Sequence, residues 1–143
     1  MPVTIDGTTG ITTVGLTASG AVSAAGVSTT TLTATGVVDT TSQQKQGIVA
    51  MAALDVDCSA GNYFTKTING SSTFTFSNAP SSRAYSFTLE LTVTSGSATW
   101  PASVAWPSGT APTLSTGKTS LLMFVTDDAG TRWRGASLVD YTT

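Results

Sequence analysis

Apolar and polar residues alternate along residues 84–94, and this is the clearest pattern in the chain. Apolar side chains occupy every second position, at Tyr85, Phe87, Leu89, Leu91 and Val93. Polar side chains occupy the positions between them, at Ser86, Thr88, Glu90 and Thr92. Successive side chains of a strand point to opposite faces, so the pattern predicts a long strand with one face in a core.

Shorter strands are predicted on the N-terminal side of this one. Residues 63–68 and 72–77 flank Asn69-Gly70, a dipeptide that favours the tight turn of a hairpin, so we expect these two runs to pair with each other. Residues 48–55 are mostly apolar and predict a further buried strand, with one and a half turns of helix as the alternative.

The C-terminal part continues the series. Residues 118–126 are apolar on both faces, which predicts a buried strand, and Asp127-Asp128-Ala129-Gly130 predicts the hairpin turn after it. Residues 131–134 and 136–141 predict the last two strands. About eight short strands without a helical pattern predict an all-β fold, in the form of a jelly-roll-like β-sandwich.

A short unit occurs twice near the N-terminus. The segment GITTVGLTASGAVS at residues 10–23 aligns with GVSTTTLTATGVVD at residues 26–39, an offset of 16 residues. Both copies set β-branched and small residues between glycines, which predicts strands that one chain alone cannot cover. A flexible low-complexity linker is the alternative. The equivalent apolar positions are candidates for assembly or docking contacts: Leu16, Val22, Leu32 and Val38.

Composition divides the chain in two. Residues 1–44 hold no aromatic residue and only two charged ones, Asp6 and Asp39, whereas all aromatic residues lie beyond position 62. The first part cannot bury enough apolar surface to fold by itself. We therefore assign residues 1–44 to an N-terminal β-repeat shaft or attachment arm and residues 45–143 to a C-terminal β-sandwich domain.

Candidate chemistry is sparse. The chain has no histidine, which excludes Ser-His-Asp and Cys-His catalytic sets and histidine metal sites. Glu90 lies in mid-strand with no evident partner for glycoside hydrolysis, so we expect no enzyme activity. The sequence also predicts no bound cofactor. Asp127 and Asp128 fit turn-forming aspartates, and a calcium site is the alternative.

Charge and hydropathy exclude other classes. The formal net charge is −2 and the six basic residues are scattered, so no nucleic-acid surface is predicted. No apolar run approaches the ~18 residues of a membrane-spanning helix, and the start MPVTIDG has no signal-peptide pattern, so we expect synthesis in the cytoplasm and no membrane insertion. The single cysteine, Cys58, predicts a small buried residue.

Four aromatic residues are the candidate contact set: Trp100, Trp106, Trp133 and Tyr141. Exposed aromatic rings beside polar residues stack on sugars or anchor protein interfaces. The alternative is that they pack in the core or between subunits. Trp100 and Trp106 have the same parity, so an extended segment would place both indoles on one side.

Three segments carry a resemblance to a known family. They are DCS at 57–59 with YFTKTINGSSTF at 63–74, the WP pairs at 100–101 and 106–107, and DDAG at 127–130 with WRG at 133–135. Together they resemble a small β domain at the C-terminal end of tailed-bacteriophage fibre and other virion proteins. The LTASG and LTATG repeat resembles the threonine-rich trimeric shafts of such proteins.

The resemblance implies an intertwined homotrimer and a non-enzymatic virion structural protein. The function it implies is that of a short tail or baseplate fibre, which contacts the host surface. A capsid decoration or cement protein, or a head fibre, is one alternative, and a stand-alone carbohydrate-binding module is another. The implied partners are further copies of the chain, a tail, baseplate or major capsid protein, and a host surface glycan. The implied location is the virion.

Overall fold

The computed structural model describes residues 45–142. The predicted assembly contacts at Leu16, Val22, Leu32 and Val38 lie outside the described residues. Within residues 45–142 the regular structure is strand, apart from a short 3-10 turn at Pro107–Gly109. The prediction of an all-β fold is confirmed for this part of the chain.

Ten strands follow one another in the described residues. In chain order they are β1 (Ile48–Ala50), β2 (Asp55–Asp57), β3 (Tyr63–Asn69), β4 (Ser72–Thr73), β5 (Thr75–Ser77), β6 (Tyr85–Ser95), β7 (Ala98–Thr99), β8 (Val104–Ala105), β9 (Lys118–Thr126) and β10 (Trp133–Tyr141). Six of them form one sheet in the order β1-β3-β6-β9-β10-β8. Strand β2 pairs with β5, and β4 pairs with β7, as two short ribbons.

The sheet is mixed. Strands β1, β3 and β6 lie side by side and parallel, β9 is antiparallel to both β6 and β10, and β8 is parallel to β10. Both ribbons are also parallel pairs. The chain therefore winds repeatedly in one direction before it closes with the antiparallel strands, unlike a jelly roll, whose sheets are antiparallel.

The predicted hairpin at Asn69-Gly70 is wrong. Strand β3 pairs in parallel with β6, whereas β4 and β5 leave the sheet and pair with β7 and β2. A type I′ hairpin turn needs positive φ at both central residues, and neither Asn69 nor Gly70 has it. The turn instead carries the chain from the sheet into the ribbons, where Phe74 is buried in the core.

Three further predictions need correction. Residues 131–134 and 136–141 do not form two strands, because a single strand, β10, extends from Trp133 to Tyr141. Residues 48–55 are not one strand, because β1 ends at Ala50 in the sheet and β2 begins at Asp55 in a ribbon. Residues 118–126 do form β9, but it is not buried on both faces, because Met123 and Val125 are exposed. The predicted long strand and the turn at residues 127–130 are confirmed as β6 and as the connection between β9 and β10.

The core lies between the sheet and the ribbons. Phe76 of β5 packs with its ring edge against Phe87, Phe124 and Trp133 of the sheet. The buried apolar residues are Val56, Cys58, Phe64, Ile68, Phe74, Phe87, Leu89, Leu91, Val93, Leu122, Phe124 and Trp133. The sheet thus has one covered face and one face turned away from the ribbons, which we call the open face.

Candidate functional site

Cross-strand neighbours on the open face form rows, because directly paired residues point to the same side. One row consists of Ile48, Tyr63, Thr88, Met123 and Ala136. The next consists of Ala50, Thr65, Glu90, Leu121 and Leu138. Outside these two lie a row of Ser86, Val125 and Arg134 and a row of Thr67, Thr92, Thr119 and Tyr141.

Large apolar side chains on the open face are exposed to solvent. Ile48 is 72% exposed, Leu138 51% and Met123 45%, and Val125 is also exposed. Met123, Val125 and Leu138 lie on the neighbouring strands β9 and β10, whereas Ile48 lies on the edge strand β1. Clusters of exposed apolar side chains on soluble proteins mark interaction surfaces. The open face is therefore the candidate functional surface of the described domain.

Hydroxyl groups fill much of the remaining open face. The hydroxyls of Thr92 and Thr119 share a hydrogen bond of 2.8 Å across β6 and β9. Thr65 and Thr88 lie beside Glu90 and Met123 in the two central rows. Threonine suits a pleated strand because its β-branched side chain packs well there, and it adds no charge.

The two charged side chains in these rows are both paired. The Tyr63 hydroxyl donates a hydrogen bond of 2.7 Å to the Glu90 carboxylate. This bond raises the pKa of Tyr63, since the carboxylate favours the protonated phenol. Arg134 lies 3.5 Å from the Asp127 carboxylate. The face is thus close to neutral.

A shallow groove of about 350 Å³ lies at one end of the open face. Its lining includes Gln46, Thr88, Met123, Val125 and Arg134. The groove carries no converging carboxylates and no nucleophile beside a base. Its lining combines apolar side chains with hydroxyl and amide groups and the Arg134 guanidinium.

The aromatic candidates are distributed over three environments. Trp133 lies in the core and is 1% exposed, so its indole is not available to a ligand. Trp100 stacks on Phe74 at 5.0 Å and meets the ring of Trp106 at 5.7 Å. The two indoles lie together although the segment between them turns, and both pack against the core. Tyr141 is exposed in the outer threonine row of the open face.

Asp127 and Asp128 shape the turn between β9 and β10. Asp128 Oδ1 accepts hydrogen bonds from the Arg132 backbone N–H and the Thr126 hydroxyl, both at 3.0 Å. The first of these bonds is the main reason that the pKa of Asp128 is lowered. Arg132 also lies 3.2 Å from Asp127. The carboxylate oxygens therefore face donors of the chain itself, as turn-forming aspartates do.

Asp55 and Asp57 fasten the ribbon of β2 and β5. Asp55 accepts hydrogen bonds from the hydroxyls of Thr75 at 2.7 Å and Ser77 at 2.5 Å. Asp57 accepts from the Ser59 hydroxyl at 2.6 Å and from the Ser59 backbone N–H at 3.0 Å. The Ser59 hydroxyl is the main cause of the lowered pKa of Asp57. These acids have structural partners and do not converge on a cavity.

Cys58 is buried, as the sequence predicts. Burial raises the pKa of its thiol to about 11, so the group is neutral at physiological pH. The hydroxyl of Tyr85 donates a hydrogen bond to the Gly61 carbonyl, and burial also raises the pKa of Tyr85. Neither group has the exposure or the lowered pKa of a reactive nucleophile.

Sequence reasoning missed Met123, Val125 and Leu138 as exposed residues. The signal was present, because β9 is apolar at consecutive positions where β6 alternates. Such a run fits either a strand buried on both faces or a strand whose second face is covered by another molecule.

Comparison with known proteins gives no match, whether to protein-family models, curated proteins or solved structures. Among residues 45–142, no helix is long and apolar enough to cross a membrane. In the same part of the chain, no cluster of His, Cys, Asp and Glu is placed to hold a metal ion.

Proposed function

We propose that this chain is a non-enzymatic bacteriophage virion structural protein that works as a homotrimeric short tail or baseplate fibre. In this role the C-terminal β domain contacts the host surface, and residues 1–44 form the shaft or attachment arm. The main support is that residues of the segments that resemble phage fibre proteins are in direct contact with one another in the fold.

Residues of the WP and WRG segments pack directly on one another. The Trp106 ring lies so close to Gly135 that a methyl group there would be 2.7 Å from Trp106 Cζ3. The backbone N–H of Trp133 donates a hydrogen bond of 2.8 Å to the Ser103 carbonyl. Gly130 of the DDAG turn lies against Trp133, with 3.2 Å between its would-be Cβ and the indole nitrogen.

These motif residues therefore specify a fold rather than a ligand site. A motif that holds the fold together is expected in proteins that share the same domain, which supports the family resemblance. Fold likeness alone does not define function, so the virion role rests on the resemblance together with the surface chemistry.

The hydrogen bonding of the acidic residues supports a structural role. In the described part of the chain, every carboxylate side chain has a donor: Asp55, Asp57, Glu90, Asp127, Asp128 and Asp140. A general acid or base needs a carboxylate that can reach a substrate in a cleft. The acids here bind their own chain instead.

Native mass spectrometry of the purified full chain tests the assembly. We expect a single species with three times the mass of the 14.5 kDa chain. A monomer at all concentrations would contradict the homotrimer.

Immunogold electron microscopy of phage particles tests the location. An antibody against the chain should label the tail tip or baseplate. Label on the head would replace the fibre with the decoration alternative, and particles without label would overturn the virion role.

A further inference from the structure

Strand β9 is apolar on both sides, but residues 45–142 cover only one of them. Leu122 and Phe124 are buried beneath the ribbons. Met123 and Val125, which point the other way, are exposed. Exposing large apolar side chains to water is unfavourable by about 25 cal/mol per Å². The second face of β9 therefore has the composition of a surface that another molecule covers in the assembled state.

The size of the open face indicates what kind of partner fits it. Strands β3, β6, β9 and β10 contain seven, eleven, nine and nine residues. With strands about 4.8 Å apart and a rise of about 3.4 Å per residue, the face measures roughly 600 Å² in projection. A standard interface takes about 800 Å² of accessible surface from each partner, so an interface of that size uses nearly the whole face. In a three-fold arrangement the sheets of two neighbouring copies share this area, which a short peptide or a sugar is too small to fill.

The charges of the open face favour a neutral partner. Glu90 is hydrogen-bonded to Tyr63, and Arg134 is paired with Asp127. Burying a paired and hydrogen-bonded charge is far less unfavourable than burying a free one. A strongly basic or acidic partner would find no excess of opposite charge on this face to attract it. The open face of a second copy is equally close to neutral, so the two faces do not repel each other and no unpaired charge is buried between them.

We infer that the open face is the surface through which copies of this chain pack together, with Met123 and Leu138 in the contact. This inference rests on the proposed homotrimer and places its interface on the folded domain. In such a trimer, three open faces surround the three-fold axis.

Lysine substitutions in the full chain test the placement. Met123→Lys and Leu138→Lys put a charge into the contact, so we expect each to weaken assembly by about tenfold or more in dissociation constant. Thr99→Lys is the matched control, since Thr99 is exposed on the β4–β7 ribbon away from the open face. Analytical ultracentrifugation over a range of concentrations measures all four proteins.

The outcomes separate this inference from the proposed function. The placement of the interface on the open face is supported if wild type and Thr99→Lys are trimers and the two open-face variants dissociate. Trimers that persist in both open-face variants overturn the placement and leave the homotrimer standing. A wild type that is monomeric throughout overturns the homotrimer and the placement together.

A second test uses the wild-type chain and so does not require that a variant folds: methionine oxidation by peroxide. Met123 is 45% exposed in a single copy, and Met51 is only half-buried at the edge of the same domain. If the open face is covered, Met123 oxidises more slowly than Met51 in the assembled protein. Faster oxidation of Met123 in the assembled protein contradicts a covered face.

Discussion

Trp106 lies over Gly135 so closely that there is no room for even a methyl group. A Cβ at Gly135 would be 2.7 Å from Cζ3 and 2.8 Å from Cε3 of the indole. The glycine lies opposite Phe124 in the sheet, so the indole rests on the backbone of β10 beside the core. This contact joins the 100–107 segment to the last strand.

Gly135→Ala is expected to destabilise the domain by about 1–3 kcal/mol, because the added methyl forces Trp106 or β10 to move. Urea denaturation followed by tryptophan fluorescence measures the free energy of unfolding. Gly70→Ala is the control, since a Cβ at Gly70 meets no atom within 4 Å. An alanine at position 135 that leaves stability unchanged would contradict the close contact.

Thr126→Val is expected to lower the free energy of unfolding by about 1–3 kcal/mol. The Thr126 hydroxyl is buried and accepts hydrogen bonds from the backbone N–H of Gly130 at 3.0 Å and of Asp128 at 3.4 Å. Valine has nearly the same shape but leaves these donors without an acceptor. Thr126→Ser keeps the hydroxyl and should recover most of the stability. Equal loss in both variants would point to packing instead.

The Asp128 carboxylate should contribute to stability above its usual pKa of 3.8 and lose that contribution as the pH falls through its lowered folded pKa. As the pH falls, Asp128 binds a proton in the unfolded chain before it does so in the folded one, so acid favours unfolding. Asp128→Asn removes this titration. The gap in stability between wild type and Asp128→Asn should therefore shrink below pH 3.8, as urea denaturation across pH would measure. A gap that does not change with pH would show that the carboxylate charge does not stabilise the turn.

Cys58 should resist thiol reagents until the domain unfolds. Its folded pKa is raised from 9.0 to about 11, mainly by burial. Ellman's reagent should therefore react only slowly in native protein at pH 8 and rapidly in urea. Fast labelling of the folded chain would contradict the buried position.

The Cys58 thiol also makes the stability of the domain depend on pH in the alkaline range. A folded pKa above the unfolded one means that stability is fully present below pH 9.0 and is lost as the pH rises toward about 11. Cys58→Ala should reduce the slope of unfolding free energy in this window. Burial raises the pKa of Tyr85 as well, and Cys58 adds to this shift, so the change of slope in Cys58→Ala reports on the two groups together.

Several features of the fold follow from local patterns in the sequence. Strict alternation predicts β6 because a strand with one buried face needs an apolar side chain at every second position, and the observed strand is Tyr85–Ser95. The turn at residues 127–130 is predictable because local side chains satisfy nearby backbone groups. Asp128 accepts from the Arg132 N–H and Thr126 accepts from the Gly130 N–H. Cys58 is predictable as buried because an isolated cysteine behaves as a small apolar residue.

The pairing of strands and the covering of their faces are decided only in the folded molecule. Asn69-Gly70 is a hairpin signal within a few residues, yet Phe64 and Leu89, which are 25 positions apart, pair in parallel because their side chains share the core. In the same way, the apolar run in β9 cannot show which of its sides the ribbons cover. Phe124 lies beneath the aromatic rings of the core and Met123 faces outward, since side chains on one strand alternate and the ribbons cover a single face.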